Sequence, residues 1–319
     1  MIANTNIESA PIMDPVHLQI RRVIVPIVAM GLDLSFAPIG TAFIIGAFGK
    51  WALALTAGHN IQEIFRLERP YDTYHPTTLP EFRVRVREVK FETIKMGVVC
   101  YDRHGKPHFA SVERAYTLDE ADIGVCVLHI EDEREDVLFE KKIAIDTRLP
   151  KKGTPIAVLG YSKLEVPDHV IEDQKARVVY SETLTRRNGE VLDVFPEVGP
   201  RNQQMPCFQC STPFDSGMSG GPVIDLSQEP GIAIGVISSD CSLGELEKGD
   251  GLQAIACGLW LSMAIRMKHE TLGDIQAPTL LDFQKQNLIE DRGRADEYIT
   301  LNQDGTLDKM VIGRREAQP

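Results

Sequence analysis

The chain has 319 residues, 43% of them apolar and 25% charged, which excludes a wholly disordered chain and allows one large domain or two small ones. Its formal net charge is −12, from 34 basic and 46 acidic residues, which argues against nucleic acid or an anionic membrane surface as the main partner.

Residues 1–20 read as a leader without the basic start and apolar core of a secretory signal. From Arg21 the chain becomes a series of short β-type runs: RRVIVPIVAM, GTAFIIGAF and KWALALTAG, then the alternating FRVRVREVKF (82–91), KMGVVCYD and ADIGVCVLHI. Ala37–Gly58 is the most membrane-like stretch, but Pro38 and Lys50 make it two strands joined near Gly46–Lys50 rather than a spanning helix. HNIQEIFRLE (59–68) has the spacing of a short helix directly after a strand. The acidic run Glu131–Asp136 reads as a solvated loop between two halves. TPIAVLGYS, KARVVYSETLT, GGPVIDL, GIAIGVISS and GLQAIACGL continue the β pattern, and WLSMAIRMKHE (260–270) is predicted to be a helix. Beyond Gly273, LLDFQKQNLIEDRGR suggests a further helix and YITLNQDGTLDKMVI a hairpin turning at Asp304-Gly305. Many short strands between turn signals predict an all-β barrel or sandwich.

Six cysteines, in a chain of this size without a secretory signal, read as free thiols. Cys207 and Cys210 form a C-x-x-C pair, but no second pair completes a zinc site, so packing is the expected role and no metal or other cofactor is expected.

Gly217-Met218-Ser219-Gly220-Gly221-Pro222 combines a hydroxyl nucleophile with glycines that permit unusual backbone angles. Gly217 and Ser219 are spaced to offer two backbone N–H groups to one developing oxyanion. The alternative is an ordinary glycine-rich turn. The hexamer resembles the G-x-S-G-G-P signature of the chymotrypsin-fold, trypsin-like serine peptidases. That resemblance implies a histidine upstream at a strand end, where Ala54-Leu55-Thr56-Ala57-Gly58-His59-Asn60 is similar to the family's T-A-A-H-C. It implies an acid between histidine and serine, where Ala121-Asp122-Ile123-Gly124-Val125-Cys126-Val127-Leu128 is similar to D-I-A-x-x-x-L. Asp119, Glu120 and Asp102 are weaker alternatives for the acid. The order His59, Asp122, Ser219 is that of the chymotrypsin type. Gly40-Thr41-Ala42-Phe43-Ile44 and Gly153–Gly160 are similar to the family's early strand and the opening of its second barrel.

The resemblance covers roughly residues 22–270. It implies two six-stranded antiparallel β-barrels with a C-terminal helix and tail. The organisation is then a leader (1–20), a peptidase domain (21–270, split near 131–150) and an extension (271–319). It also implies a serine endopeptidase acting through an acyl-enzyme, with His59 as base, Asp122 as its orienting acid, Ser219 as nucleophile, and Gly217 with Ser219 as the oxyanion hole. Pro213, Phe214, Ser238, Ser239 and Asp240 would line the primary substrate pocket. Pro213 argues against an acidic pocket floor, and Ile237 against glutamate preference. Asn60, where secreted members carry cysteine, points to the intracellular bacterial, HtrA-like branch, and residues 271–319 are too short for a PDZ domain. A protein or peptide substrate, an activating protein partner, a cytoplasmic location, and neither nucleic acid nor membrane are further expectations. Met218 stands where zymogen-activated members have aspartate, so activation by a freed N-terminal amine is not expected, although Arg22-Val23-Ile24-Val25 superficially resembles a cleavage site. The other reading of the chain is a silent, peptide-binding pseudoprotease; an esterase using the same triad is a third.

Overall fold

The computed structural model describes residues 6–7, 15–30, 36–67, 72–75, 86–89, 95–118, 121–131, 139–172, 175–196, 206–239, 254–267, 279–301 and 307–310. A two-residue strand, β1 (Asn6–Ile7), and helix α1 (Pro15–Arg21) precede β2 (Ile24–Met30), β3 (Phe36–Phe48) and β4 (Trp51–Ala57). Helix α2 (Gly58–Leu67) leads to β5 (Asp72–His75), β6 (Val86–Val89), β7 (Lys95–Tyr101), β8 (Pro107–Leu118) and β9 (Ile123–His129). The second half holds β10 (Pro155–Glu172), β11 (Lys175–Phe195), β12 (Cys207–Cys210), β13 (Pro222–Asp225), β14 (Ile232–Ser239) and β15 (Ala254–Gly258). Helix α3 (Leu280–Lys285), β16 (Ile299–Leu301) and β17 (Leu307–Met310) complete the described elements.

Both sheets close. In the first half the order β8-β7-β2-β3-β4-β9 returns to β8 through a β8–β9 pairing, with the β5-β6 hairpin attached at β8. In the second the order β11-β10-β13-β14-β15-β12 returns to β11 through β11–β12, with β1 lying parallel to β11 outside the ring. Closure removes the unpaired edges that an open sheet would expose.

The period-two pattern of the strands explains how each barrel fills. All six strands of the first ring supply one apolar cluster, with Ala52 and Ala54 from β4 and Cys126 and Leu128 from β9, so that cluster is the barrel interior. The alternate residues Leu53, Leu55, Val125 and Val127 join a second cluster on the outer face. All six strands of the other ring likewise meet in one cluster, which includes Phe208, Phe214 and Met218. The outer-face cluster is shared: Phe43 and Leu55 of the first barrel, Tyr161 and Val236 of the second, and Trp260, Leu280, Leu281, Phe283 and Ile289 all belong to it. The seam between the barrels is thus a third hydrophobic core, and residues 279–301 are part of it.

The 279–301 segment docks through a defined set of bonds. Thr279 and Asp282 form a reciprocal capping box at the start of α3. Ile145 bridges both Ala233 of β14 and Asp291. The buried Asp291 carboxylate accepts from the Thr147 hydroxyl (2.8 Å) and from the Gly293 and Ala295 N–H groups (both 2.8 Å). Burial pushes the Asp291 carboxyl above its ordinary range, partly offset by those donors.

Most sequence expectations are met, the helix expected over 280–294 shortens to Leu280–Lys285, and one expectation is corrected. The 37–58 stretch is the β3–β4 hairpin, turning at Gly49 with φ +68, and 59–67 is helical. β16 and β17 pair antiparallel, with the intervening turn outside the described residues, as is most of the 131–138 loop. The 260–270 helix does not form. Only Trp260–Ala264 is helical, as a 3₁₀ turn, and Ile265 is already extended. Every residue of that turn is buried, so no solvent-facing side remains for an amphipathic α-helix. Arg266 instead bridges Thr279, turning the chain toward the seam. No helix among the described residues is long and apolar enough to cross a membrane.

Candidate active site

β4 ends at Ala57, and His59 is the second residue of α2. Gly58 between them packs closely on the strand that follows Asp122: a Cβ there would lie 3.2 Å from the carbonyl carbon of Asp122 and the nitrogen of Ile123. Asp122 has φ +47, a left-handed conformation that aspartate and asparagine tolerate better than most residues. This kink at the start of β9 turns its carboxylate onto α2. The His59 N–H donates to Asp122 Oδ1 at 2.8 Å, and His59 Nδ1 lies 3.1 Å from Oδ1 and 2.9 Å from Oδ2. The Ser238 hydroxyl of β14 donates to the same carboxylate, to Oδ2 at 2.5 Å. The carboxylate is therefore fixed from three directions, and Nδ1 is committed to it, which leaves Nε2 as the basic nitrogen.

His59 is 44% exposed and Asp122 19%. Partial burial of the imidazole works against its charged form. The Asp122 hydrogen bond and charge, with Glu63, outweigh it and raise the His59 pKa above the ordinary histidine value.

Ser219 sits in a turn whose N–H bonds stay in its own barrel but whose Gly217 and Ser219 carbonyls are bonded from the other. Its carbonyl accepts from the Thr41 N–H at 2.9 Å and from Asn60 Nδ2 at 2.8 Å. Asn60 comes directly after His59, so one residue couples the histidine to the serine. The Asn60 amide also donates to the Thr56 hydroxyl (3.0 Å), which donates to the Thr41 carbonyl (2.7 Å). Gly220 has φ +88, and a Cβ there would stand 2.1 Å from the Thr41 carbonyl oxygen, so only glycine fits. Among the described residues, no hydrogen bond joins the Ser219 hydroxyl to the His59 imidazole. Bonds between nucleophile and base are often loose before substrate binds.

The N–H groups around the serine divide into two sets. Those of Met218, Gly220 and Gly221 donate within the protein, to Asp215, Ile237 and Met218. Those of Gly217 and Ser219 find no acceptor among the described residues. Met218 is fully buried in the second barrel's interior, and its sulfur accepts from the Asp215 N–H at 3.4 Å. Asp215, the other carboxylate near this position, is paired with Arg187 of β11 at 2.8 Å. Ile24 and Val25 are buried at the start of β2, so the sequence that resembles a cleavage site is a core strand.

Two closed six-stranded antiparallel barrels frame this group, and few helices accompany them. The fold is chymotrypsin-like. No protein-family model matches the chain, and no curated protein matches it. Solved structures do. "Crystal structure of Deg5" is 18% identical over 76% of this chain and 88% of that one, with a TM-score of 0.46. "HtrA-type protease AlgW with decapeptide" is 14% identical over 79% of this chain and 66% of that one, with a TM-score of 0.44. The same protease with a tripeptide gives 14%, 78%, 61% and 0.43. The chain thus spans less than two thirds of the length of the AlgW chains.

The residues predicted to line the primary pocket fall into different settings. Pro213 is half-buried, whereas Phe214 packs with Met218 inside the second barrel. The Ser238 hydroxyl is committed to Asp122. Ser239 pairs with Ile255 through its backbone, and Asp240 lies outside the described residues, as do the alternative acids Asp119 and Glu120. Asp102, the remaining alternative, is buried in the β7–β8 turn against His108 at 3.1 Å and the His104 and Lys106 N–H groups. These bonds shape a hairpin. Sequence reasoning missed the roles of Thr41, Thr56, Asn60 and Ser238. Asn60 alone carried a signal, as the departure from the family pattern next to the histidine.

The five described cysteines are unpaired and buried. Burial pushes the Cys126 and Cys207 thiols up to about 12, which keeps them protonated and poor nucleophiles.

Proposed function

We propose that the chain is a serine endopeptidase that hydrolyses peptide bonds through His59, Asp122 and Ser219. The observation that carries this reading is the His59–Asp122 pair at 2.9 Å, with Nε2 left as base and the Ser219 turn bonded to the residue after that histidine. His59 Nε2 takes the Ser219 proton as the hydroxyl oxygen bonds to the substrate carbonyl carbon. Asp122 stabilises the resulting imidazolium, and the Gly217 and Ser219 N–H groups receive the oxyanion. The imidazolium then protonates the departing amine as the C–N bond breaks. Water, deprotonated by His59, attacks the acyl-enzyme and releases the acid, regenerating Ser219.

A cytoplasmic setting and a protein or peptide substrate belong to the same proposal, as does activation by a protein partner. The second reading is a silent module that holds a peptide.

The test is labelling by a fluorophosphonate probe, alone and with candidate partners co-expressed. The peptidase reading expects labelling of the wild-type protein and none of Ser219→Ala, with cleaved partner fragments seen by proteomics only for the former. A folded protein that never labels, yet binds peptides equally with and without Ser219, belongs to the second reading and sinks the first.

A further inference from the structure

A turn that presents two N–H groups to an oxyanion must keep its carbonyls from rotating into the same space. In the Ser219 turn the side chain that does this comes from the opposite barrel. Thr41, on β3, is fully buried. Its hydroxyl donates to the Gly217 carbonyl at 2.8 Å and accepts from the Tyr161 N–H of β10 at 2.9 Å. Its own N–H takes up the Ser219 carbonyl, and its carbonyl is held by Thr56. A hydroxyl has one proton to give, and here it is spent on Gly217 because the Tyr161 N–H already occupies an acceptor position. Gly217 has φ +89, and a Cβ there would lie 2.5 Å from the Tyr161 carbonyl. Thr41, Tyr161 and Gly217 therefore form a three-way junction across the barrel seam.

We propose that Thr41 is a positioning residue that fixes the Gly217–Met218 peptide, the plane between the two donor N–H groups, and so holds the oxyanion hole in shape from the first barrel. The inference rests on the serine-peptidase reading of the same site. It accounts for Met218: with an apolar plug in place of a carboxylate, the turn has no charge for an N-terminal amine to grip. Beside the bonds within its own barrel, its order comes from the Thr41 hydroxyl and the Asn60 amide. The oxyanion hole is then coupled to how the two barrels sit against each other, since every shift along the seam strains the Thr41–Gly217 bond.

The experiment compares Thr41→Val, which keeps the shape and loses the proton, with Thr41→Ser, which keeps the proton and loses a methyl. Fluorophosphonate labelling and p-nitrophenyl acetate turnover are measured, folding is checked by circular dichroism, and crystal structures are determined. Thr41→Val is expected to lower the labelling rate and kcat about 10- to 100-fold, less than outright removal of an oxyanion donor. KM and the midpoint of the pH profile stay in place, because neither ground-state binding nor His59 is touched. Thr41→Ser is expected to recover most of that loss, and the Gly217 carbonyl to turn in the Thr41→Val crystal structure only. Should Thr41→Val fail to fold, Thr41→Cys, with its weaker donor, takes its place against Thr41→Ser. Equal rates for Thr41→Val and wild type, or equal slowing by Val and Ser, overturn the proposal. A wild-type protein that does not label removes the peptidase reading, yet the crystal structures still decide: an unturned Gly217 carbonyl in Thr41→Val overturns the positioning role, and a turned one upholds it.

Discussion

The two barrels divide the work unequally. The first holds two of the proposed catalytic groups on adjoining pieces of one wall: α2, directly after β4, carries His59, Asp122 directly precedes β9, and β4 pairs with β9 from Trp51↔His129 to Ala57↔Ile123. The second holds Ser219 on a turn, and much of what fixes that turn belongs to the first barrel. Its own distinctive element is the long β10–β11 hairpin, paired from Pro155↔Glu190 out to Glu172↔Lys175. Glu182 of that hairpin is gripped by Arg21 and by the Tyr101 hydroxyl of β7 (2.6 Å), again from the first barrel's side. The first barrel takes one bond from the second, Ser238 to Asp122, whereas the turn that carries the proposed nucleophile takes several from the first.

That contrast can be broken at its strongest point first. Asp122→Asn keeps the left-handed backbone, which asparagine tolerates, and removes only the charge that selects the tautomer. It is expected to lower kcat about 10⁴-fold in single-turnover assays, and a loss under tenfold would show that the first-barrel pair does not orient the base. The second barrel's dependence on an apolar plug is probed by Met218→Asp. A carboxylate in the barrel interior without a partner is expected to cost about 3–5 kcal/mol in urea denaturation, against under about 1.5 kcal/mol for Met218→Leu. Wild-type stability in Met218→Asp would mean that a cation reaches the site after all.

The pH profile sharpens the comparison. His59 acts as base only when neutral, and its folded pKa is raised, so labelling should fall about tenfold per pH unit below a midpoint above the ordinary value of about 6.5. The same shift stabilises the fold below the unfolded pKa, and that stabilisation is lost as pH rises through the folded value. Activity and this part of stability therefore run in opposite directions, and a midpoint below 6.5 in the labelling rate contradicts the geometry. The smallest effect is expected for Arg187→Ala. The Arg187–Asp215 pair is 39% and 35% exposed, so its loss should shift stability by under about 1 kcal/mol and leave the labelling rate nearly unchanged. A large loss would mean that the hairpin, and not the opposite barrel, orders the Ser219 turn.

What could be read in the sequence was what depends on local pattern. Period-two runs located the strands, and glycine at 217, 220 and 221 marked a turn in which positive φ and backbone contact exclude side chains. His59 and Asp122 stood at strand boundaries, where a resemblance could find them. What could not be read depends on who faces whom. Thr41 is one small residue in an apolar strand, and only the seam brings Gly217 and Tyr161 to its hydroxyl. Ser238 looked like a pocket residue because its neighbours in the chain do, whereas the bend of β14 sends it to Asp122. The 260–264 segment has a helical pattern, but complete burial removes the amphipathic argument on which that reading relied.

The third core has a consequence for timing. Ribosomes deliver the chain from its first residue onward, so both rings and all three residues of the proposed triad emerge before Leu280, Leu281, Phe283 and Ile289 do. Until those side chains arrive, the faces of the two barrels that they cover stay wet, and Ile145 lacks its partner at Asp291. On the proposed function, the triad residues would leave the exit tunnel before the segment that completes the seam between their two barrels.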